Sequence, residues 1–204
     1  MKKATRSLLA LFLLLACVCS FASCAKYEKP TLTDTTYDST FTGLHFTSTT
    51  GWDFYSEDEI AEIMELSKEY LSEEQKAAVE ADTNHTIYDM YAVNLTNGYN
   101  AIVMCEEMKL VGYTVKKYAE KLFTELEQTG IHYQKDSEQE VTFCGESYYQ
   151  LQVSYTMTIA GITTTQMQRH LLRKIGSYMI CVSLTAKNET ELDKLEKMFS
   201  AYQA

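Results

Sequence analysis

The sequence predicts an α+β domain in which amphipathic helices cover an antiparallel sheet. Apolar and polar residues alternate in neighbouring segments that short turns separate, which indicates strands joined as hairpins. Two other segments, 115–126 and 192–202, repeat their apolar residues at helical spacing, which indicates helices with one apolar face. The chain of 204 residues contains a single proline. Residues 39–204 are long enough to bury one hydrophobic core.

The first part of this domain is predicted to contain short strands followed by a helix. Apolar and polar side chains alternate over residues 43–48, and the pattern resumes at 52–54. Ser56 and Glu59 have the spacing of a capping box and predict that a helix begins there. A second cap pattern at residues 72–75 predicts a break and another short helix.

The rest of the domain is predicted to consist of hairpins and two further helices. Residues 86–95 and 100–108 flank Asn97-Gly98, a strong signal for a tight hairpin turn. A helix over 113–128 follows and ends at Gly130. Further strands are predicted at 131–134, 140–144, 147–159, 162–173 and 177–185. Asn188 is the predicted cap of the last helix, whose apolar stripe extends to Tyr202.

Residues 1–23 have the pattern of a secretory signal peptide. The first six residues include three bases and no acid, and an apolar run over residues 8–21 follows. This run is shorter than the roughly 17–25 apolar residues that a membrane-spanning helix needs. The sequence therefore predicts export of the chain, and no later segment is apolar enough to span a bilayer.

The end of the leader resembles the lipobox of bacterial lipoproteins. Ala22-Ser23 precede Cys24 where the chain turns polar, and Ala16 before Cys17 is an alternative site. The resemblance implies a diacylglycerol on the cysteine thiol, and two acyl chains hold a protein stably on a membrane. We therefore expect an anchor on the outer face of a bacterial cytoplasmic membrane, with free secretion as the alternative. Residues 24–38, which are polar and threonine-rich, are predicted to be the anchor and a flexible tether.

The negative charge of the chain argues against nucleic acid as a partner. The chain carries 18 basic and 28 acidic residues, a formal charge of -10. The leader contains three of the bases and no acid, so a chain cleaved before Cys24 carries -13. An acidic domain of this kind is repelled by nucleic acid and by anionic lipid.

The start of the predicted domain resembles a known family. It contains, in order, Tyr37, Phe41, Gly43, Leu44, Phe46, Gly51, Trp52 and Phe54. This spacing resembles the N-terminal signature of PsbP-like domains, and the order of later elements over residues 37–202 is similar. The resemblance implies an α/β/α sandwich with a central antiparallel sheet flanked by amphipathic helices, in a single domain over 39–204. In that superfamily the fold serves docking and assembly, and no catalytic residues can be carried over.

No motif in the sequence indicates catalysis or a metal. The four histidines, at positions 45, 85, 132 and 170, are not spaced as metal ligands. Glu106 and Glu107 are adjacent in a predicted strand, so their side chains point to opposite faces and do not form an acid–base pair. We therefore predict a protein that is not an enzyme and that holds no metal or cofactor.

Cysteines and tyrosines provide two further candidates. Cys105, Cys144 and Cys181 lie in predicted strands, where buried free thiols are favoured, although one disulfide among them stays open. Tyr148, Tyr149 and Tyr155 crowd one hairpin. They are either strand-forming residues or a binding face for a protein or glycan.

These observations favour a lipid-anchored extracytoplasmic binding or assembly module that docks an envelope protein or polymer. The alternative is an envelope-associated enzyme whose site combines residues distant in sequence. A solute-binding component of a transporter is a third hypothesis, which the short chain makes weaker. A deep pocket with converging ionisable groups would favour the enzyme, and a tyrosine-rich groove or face would favour docking.

Overall fold

Strands dominate the computed structural model, which describes residues 26–68, 85–109, 112–129, 131–159 and 162–203. These ranges contain 11 strands and three helices. The strands are β1 Thr31–Leu32, β2 Thr36–Ser39, β3 Leu44–Thr47, β4 Trp52–Phe54, β5 His85–Asn94, β6 Asn100–Glu107, β7 Tyr133–Phe143, β8 Glu146–Ile159, β9 Ile162–Ile175, β10 Tyr178–Ala186 and β11 Phe199–Ala201. The helices are α1 Glu57–Lys68, α2 Val115–Gln128 and α3 Glu189–Glu196.

The strands form two antiparallel sheets. The large sheet has seven strands in the order β4-β5-β6-β10-β9-β8-β7, so it is built from hairpins with one crossover between β6 and β10. The small sheet has the order β1-β2-β3-β11 and joins the start of the domain to its last strand. The predicted hairpin at Asn97-Gly98 is confirmed, since β5 pairs with β6 across it.

The two faces of the large sheet bury separate hydrophobic clusters. On one face α2 packs over β7, β8 and β9 and contributes Tyr118 and Ala119. On the other face α3 contributes Leu192 and Leu195, and the small sheet contributes Phe46 to the same cluster. A single strand contributes apolar side chains to both clusters, because successive side chains along it point to opposite faces of the sheet.

The predicted α/β/α sandwich is wrong. The structure is mostly strand, its three helices are short, and a second antiparallel sheet lies in the layer assigned to helices. This sheet forms because β3 pairs with β2 on one side and with β11 on the other. The pairing joins residues near opposite ends of the domain, and local patterns carry no information about such contacts.

The caps of α1 and α3 are those predicted from the sequence, but the end of α3 differs from the prediction. Ser56 and Glu59 form the predicted capping box, with the Ser56 backbone N–H donating to Glu59 Oε2 at 2.8 Å. Asn188 Oδ1 accepts from the Glu191 backbone N–H at 3.0 Å and caps α3. The predicted helix to Tyr202 is wrong, because α3 ends at Glu196 and β11 follows. The second cap pattern, at residues 72–75, lies outside the described residues.

Part of the predicted tether belongs to the fold. β1 and β2 lie between residues 31 and 39, almost entirely within the predicted tether. They pair with Thr31 opposite Asp38 and Leu32 opposite Tyr37. Tyr37 is 0% exposed and belongs to the cluster beneath the small sheet. Cys17 and Cys24 lie outside the described residues. Among the described helices, none has the length and apolar character required to cross a bilayer.

Candidate functional site

A groove with a volume of about 1010 Å³ runs beside the N-terminal half of β5. It is lined by the consecutive β5 residues Thr86 to Met90, by the first turn of α1 and the two residues before it, and by residues of the 27–32 segment. The polar and aromatic residues that line it include Tyr27, Lys29, Tyr55, Glu57, Asp58 and Asp89. Apolar residues such as Pro30, Leu32 and Ile60 complete the walls.

Local structure explains where this groove lies. β4 pairs with β5 only from Ala92 to Asn94, so β4 does not border the earlier part of β5. The chain then leaves the sheet at Tyr55, and the capping box at Ser56 starts α1 at once. The first turn of α1 therefore places the exposed acids Glu57 and Asp58 at the rim of the groove.

Asp89 is the residue that the regular pattern of β5 does not accommodate. Tyr88 pairs with Met104 and Met90 pairs with Val103, so Asp89 is the extra residue of a β-bulge. A bulge re-aims a side chain relative to the alternating pattern, and bulges are frequent beside functional sites. Asp89 is only 3% exposed, and it lines the base of the groove.

Three donors surround the buried Asp89 carboxyl. Tyr27 Oη donates to Oδ1 at 2.7 Å, while Tyr37 Oη at 3.3 Å and Cys105 Sγ at 3.4 Å donate to Oδ2. Burial raises the pKa of Asp89, although these three hydrogen bonds oppose that shift. Burial, together with the nearby Asp89 carboxyl, also raises the pKa values of Tyr27, Tyr37 and Cys105.

These shifts determine what the cluster can do. The hydroxyls and the thiol are held in their protonated forms, in which they donate hydrogen bonds and are poor nucleophiles. Both carboxyl oxygens of Asp89 already accept hydrogen bonds from the protein. Within the described part of the chain, no group of three or more acidic, histidine or cysteine side chains is arranged to hold a metal ion. The cluster is therefore suited to holding chain segments together at the base of a binding groove.

An aromatic cluster continues from Tyr27 away from the groove. The Tyr27 ring lies 5.4 Å from that of Phe41 and 6.0 Å from that of Tyr178, and Phe41 and Tyr178 are 5.3 Å apart between centroids. The two contacts that Phe41 makes are edge-to-face, an arrangement that stabilises aromatic pairs beyond simple burial. Tyr27 thus links the chain just after the predicted anchor to both the groove and the sheet.

Comparison with known proteins identifies the architecture. No family model matches the chain, and no curated protein matches it. A solved structure, that of cyanobacterial PsbP (CyanoP) from Synechocystis sp. PCC 6803, is similar with a TM-score of 0.50. The match has 12% sequence identity and covers 82% of this chain and 91% of that chain. The fold is PsbP-like. At this identity the likeness concerns the fold alone. It supports the predicted PsbP-like fold, whereas the α/β/α layering that the sequence analysis attached to that fold is wrong for this chain.

The three tyrosines of the predicted binding face do not share a surface. Tyr148 is 1% exposed and packs edge-to-face on Phe143 beneath the small-sheet face. Tyr149 and Tyr155 lie on the opposite face, where they pack against the cluster beneath α2. The structure therefore places Tyr148 in a core and separates it from the other two.

The cysteines and acids singled out by the sequence have structural positions. Cys105 and Cys181 are buried free thiols, and Cys144 is half-buried in the β7–β8 turn with a φ of 51°. Glu106 is buried and accepts a hydrogen bond from Tyr118 Oη at 2.6 Å, whereas Glu107 is exposed. The two glutamates point to opposite faces, as strand geometry requires.

Sequence reasoning missed both Asp89 and Tyr27. The only signal for Asp89 was an acidic residue between Tyr88 and Met90 in an otherwise apolar strand segment. Tyr27 had no signal, because it lies in a polar segment that reads as an exposed linker. Their contact joins residues 62 positions apart, and only the folded chain brings them together.

Replacing Asp89 by alanine is expected to lower the free energy of unfolding by about 2 kcal/mol, because buried donors lose their acceptor. We also expect faster tryptic cleavage after Lys26, since Tyr27 is released. Urea unfolding and timed proteolysis measure the two effects. Asp53→Ala, which removes an exposed carboxylate, is the control. Unchanged stability and unchanged cleavage in Asp89→Ala would show that the cluster does not hold the N-terminal segment.

Proposed function

We propose that this chain is a lipid-anchored extracytoplasmic binding module that docks an extended segment of an envelope protein in the groove beside Asp89. The groove is the observation that carries this proposal. The five consecutive β5 residues that line it extend over about 13 Å, the length of four or five residues of extended peptide. Its volume also lies at the upper limit of ordinary small-molecule pockets.

The lining indicates the chemistry of the docked segment. Tyr27, Tyr55, Pro30 and Ile60 provide apolar and aromatic walls, which suit aliphatic side chains. At the rim, Glu57 and Asp58 are exposed and Lys29 pairs with Glu57. The rim therefore has an excess of negative charge, which favours a segment that alternates basic and aliphatic residues.

Two further observations support a binding role outside the cytoplasm. The hydroxyls and thiol around Asp89 are held protonated and donate to its carboxyl oxygens, which favours binding over nucleophilic catalysis by these groups. The leader and the lipobox at Cys24 support export and an anchor on the outer face of the cytoplasmic membrane. Mass spectrometry of the membrane fraction tests the anchor, and an unmodified, freely soluble chain would contradict it.

The binding proposal is tested with two synthetic hexapeptides, one alternating lysine and leucine and one alternating glutamate and leucine. Fluorescence anisotropy measures their binding to the mature chain from residue 24, with Cys24→Ser to keep it soluble. We expect the lysine peptide to bind and the glutamate peptide not to bind. Asp58→Lys at the rim is expected to weaken binding about tenfold.

Glu140→Lys is the matched control, since it makes the same charge change at an exposed position on β7. Equal weakening by Asp58→Lys and Glu140→Lys would show that only net charge matters, and would contradict a docking groove. Failure of both peptides to bind would also overturn the proposal. Binding of a soluble cell-wall glycan fragment in place of the peptide would identify the partner as a polymer.

A further inference from the structure

We infer that the face formed by Tyr27, Phe41 and Tyr178 lies directly against the bilayer that holds the anchor. This inference rests on the proposed lipid anchor at Cys24. It concerns a different property from peptide docking, namely the orientation of the domain and its distance from the membrane.

The N-terminal segment is attached to the domain at several points. Tyr27 donates its hydroxyl to buried Asp89 at 2.7 Å and packs its ring on Phe41 and Tyr178. Thr40 Oγ1 donates to Glu28 Oε2 at 2.9 Å, and Lys29 forms an ion pair with Glu57. β1 then pairs with β2, so attachment continues from residue 27 into the small sheet.

This attachment shortens the connection to the membrane. A free tether from Cys24 to residue 38 would reach about 50 Å when extended, at roughly 3.5 Å per residue. With Tyr27 docked, only three residue steps separate Cys24 from the domain, and these reach about 10 Å. A lipid on Cys24 therefore requires the surface around Tyr27 to lie at the lipid headgroups.

The chemistry of this surface suits a bilayer interface. Tyr27, Phe41 and Tyr178 are each half-buried. The Tyr27 hydroxyl is bonded to Asp89, whereas Tyr178 combines an apolar ring and a polar hydroxyl, which suits the headgroup level. Along residues 26–34, the two bases Lys26 and Lys29 equal in number the two acids Glu28 and Asp34.

The large sheet supplies an internal measure of orientation. Tyr178 pairs with Glu107, which in turn pairs with His85 at the start of β5. Trp52, the single tryptophan, pairs with Asn94 at the other end of β5. Nine residue steps along β5 correspond to about 30 Å, so Trp52 is predicted to lie far from the bilayer.

The test attaches a maleimide phospholipid to Cys24 of the mature chain and incorporates it into phosphatidylcholine vesicles that contain a brominated lipid quencher. Cys105 and Cys181 are buried, and burial raises the pKa of the half-buried Cys144 thiol to about 11, so Cys24 is the reactive thiol at neutral pH. A Cys24→Ser chain that takes up no lipid verifies this.

Two versions of the chain are compared. In the native chain we expect no loss of Trp52 emission in the brominated vesicles. In Trp52→Phe with Tyr178→Trp, we expect a clear loss of emission, because the introduced tryptophan lies at the lipid surface. Equal quenching in the two chains, or none in the second, would overturn the inference.

Tyr27→Ala removes the contacts that attach the N-terminal segment to the domain and leaves the lipid on Cys24 in place. In the Trp52→Phe, Tyr178→Trp chain it is expected to reduce the quenching, because the domain moves away on a longer connection. Tyr155→Ala, which removes a half-buried tyrosine beside Tyr133 on the α2 face, is the control and should leave quenching unchanged. Unfolding curves verify that each variant is folded. Unchanged quenching in a folded Tyr27→Ala chain would contradict the attachment. If Tyr27→Ala unfolds, Tyr27→Phe replaces it: this variant removes only the hydroxyl that Asp89 accepts, a smaller loss of quenching is expected, and unchanged quenching would contradict the attachment.

Failure of this test is distinguishable from failure of the proposed function. The chemical anchor supplies the lipid, so the quenching reports geometry whether or not cells modify Cys24. Absence of a lipid on the cellular protein would contradict the anchor alone. Failure of peptide binding would contradict the docking groove alone.

Discussion

Replacing Arg169 by methionine is expected to lower the free energy of unfolding by about 2 kcal/mol. Arg169 lies on β9, is 5% exposed, and is the cation to which α3 is attached. Its Nη1 bonds Asp193 Oδ1 at 3.0 Å and also Glu196, while Nε donates to Gln152 Oε1 at 3.2 Å. Methionine fills most of the space but leaves neighbouring acids without a cation and a buried amide oxygen without its donor.

Arg173→Met is the matched control for this prediction. Arg173 lies on the same strand and pairs with Glu146 at 2.9 Å, but its side chain is 25% exposed, against 6% for Arg169, and Glu146 is 56% exposed. Exposed pairs contribute at most about 1 kcal/mol, so the control is expected to lose less than Arg169→Met. Urea unfolding measures both variants. A loss below 1 kcal/mol for Arg169→Met would show that Arg169 does not hold α3 on the sheet.

Replacing His170 by leucine is expected to raise the free energy of unfolding by about 2 kcal/mol at neutral pH. His170 is 4% exposed, and neither ring nitrogen has a hydrogen-bond partner among the described residues. Its cross-strand neighbours include Leu151 and Ser183 on the same face of the large sheet. Leucine removes the uncompensated polar atoms and retains an apolar side chain of similar size.

The gain from His170→Leu is expected to increase as the pH falls. Burial lowers the pKa of His170 from 6.5 to about 4 in the folded state. Between these values the unfolded chain binds the extra proton, so the wild-type protein loses stability as the pH falls below 6.5. The full loss, reached near pH 4, is about 3 kcal/mol, and the leucine variant does not have it.

Urea unfolding at pH 7.5, 6 and 5 measures this difference between His170→Leu and the wild-type chain. Asp89, whose raised pKa acts in the opposite direction, is present in both chains and cancels in the comparison. His170→Gln separates the two effects, because it does not titrate but keeps an unpaired polar group. A constant difference at all three pH values, or a destabilised leucine variant, would contradict a neutral and unpartnered imidazole.

Local features of the fold could be read from the sequence because they depend on residues close together in the chain. The caps at Ser56 and Asn188 and the hairpin at Asn97-Gly98 each depend on four or so consecutive residues. Alternation identified the long strands β8, β9 and β10 with boundaries within a few residues. These signals survive folding because tertiary contacts reinforce them.

The candidate site could not be read in the same way. Asp89 is re-aimed by a bulge whose position depends on its pairing with β6, and its donors come from residues 27, 37 and 105. Tyr148 shows the converse case: of the two alternatives that the sequence left open for it, its position in a core agrees with a strand-forming role. Side-chain environment, and with it each pKa, depends on contacts between distant segments.

The sequence by itself determined where most strands of this chain lie and which residues cap α1 and α3. Only the tertiary structure decided that the end of the chain pairs with β3 in a second sheet, and that the segment after the predicted anchor docks on Asp89. The physical reason is the range of the interactions. Propensity, capping and alternation act over a few residues, whereas strand pairing and burial of a carboxyl depend on which distant segments meet.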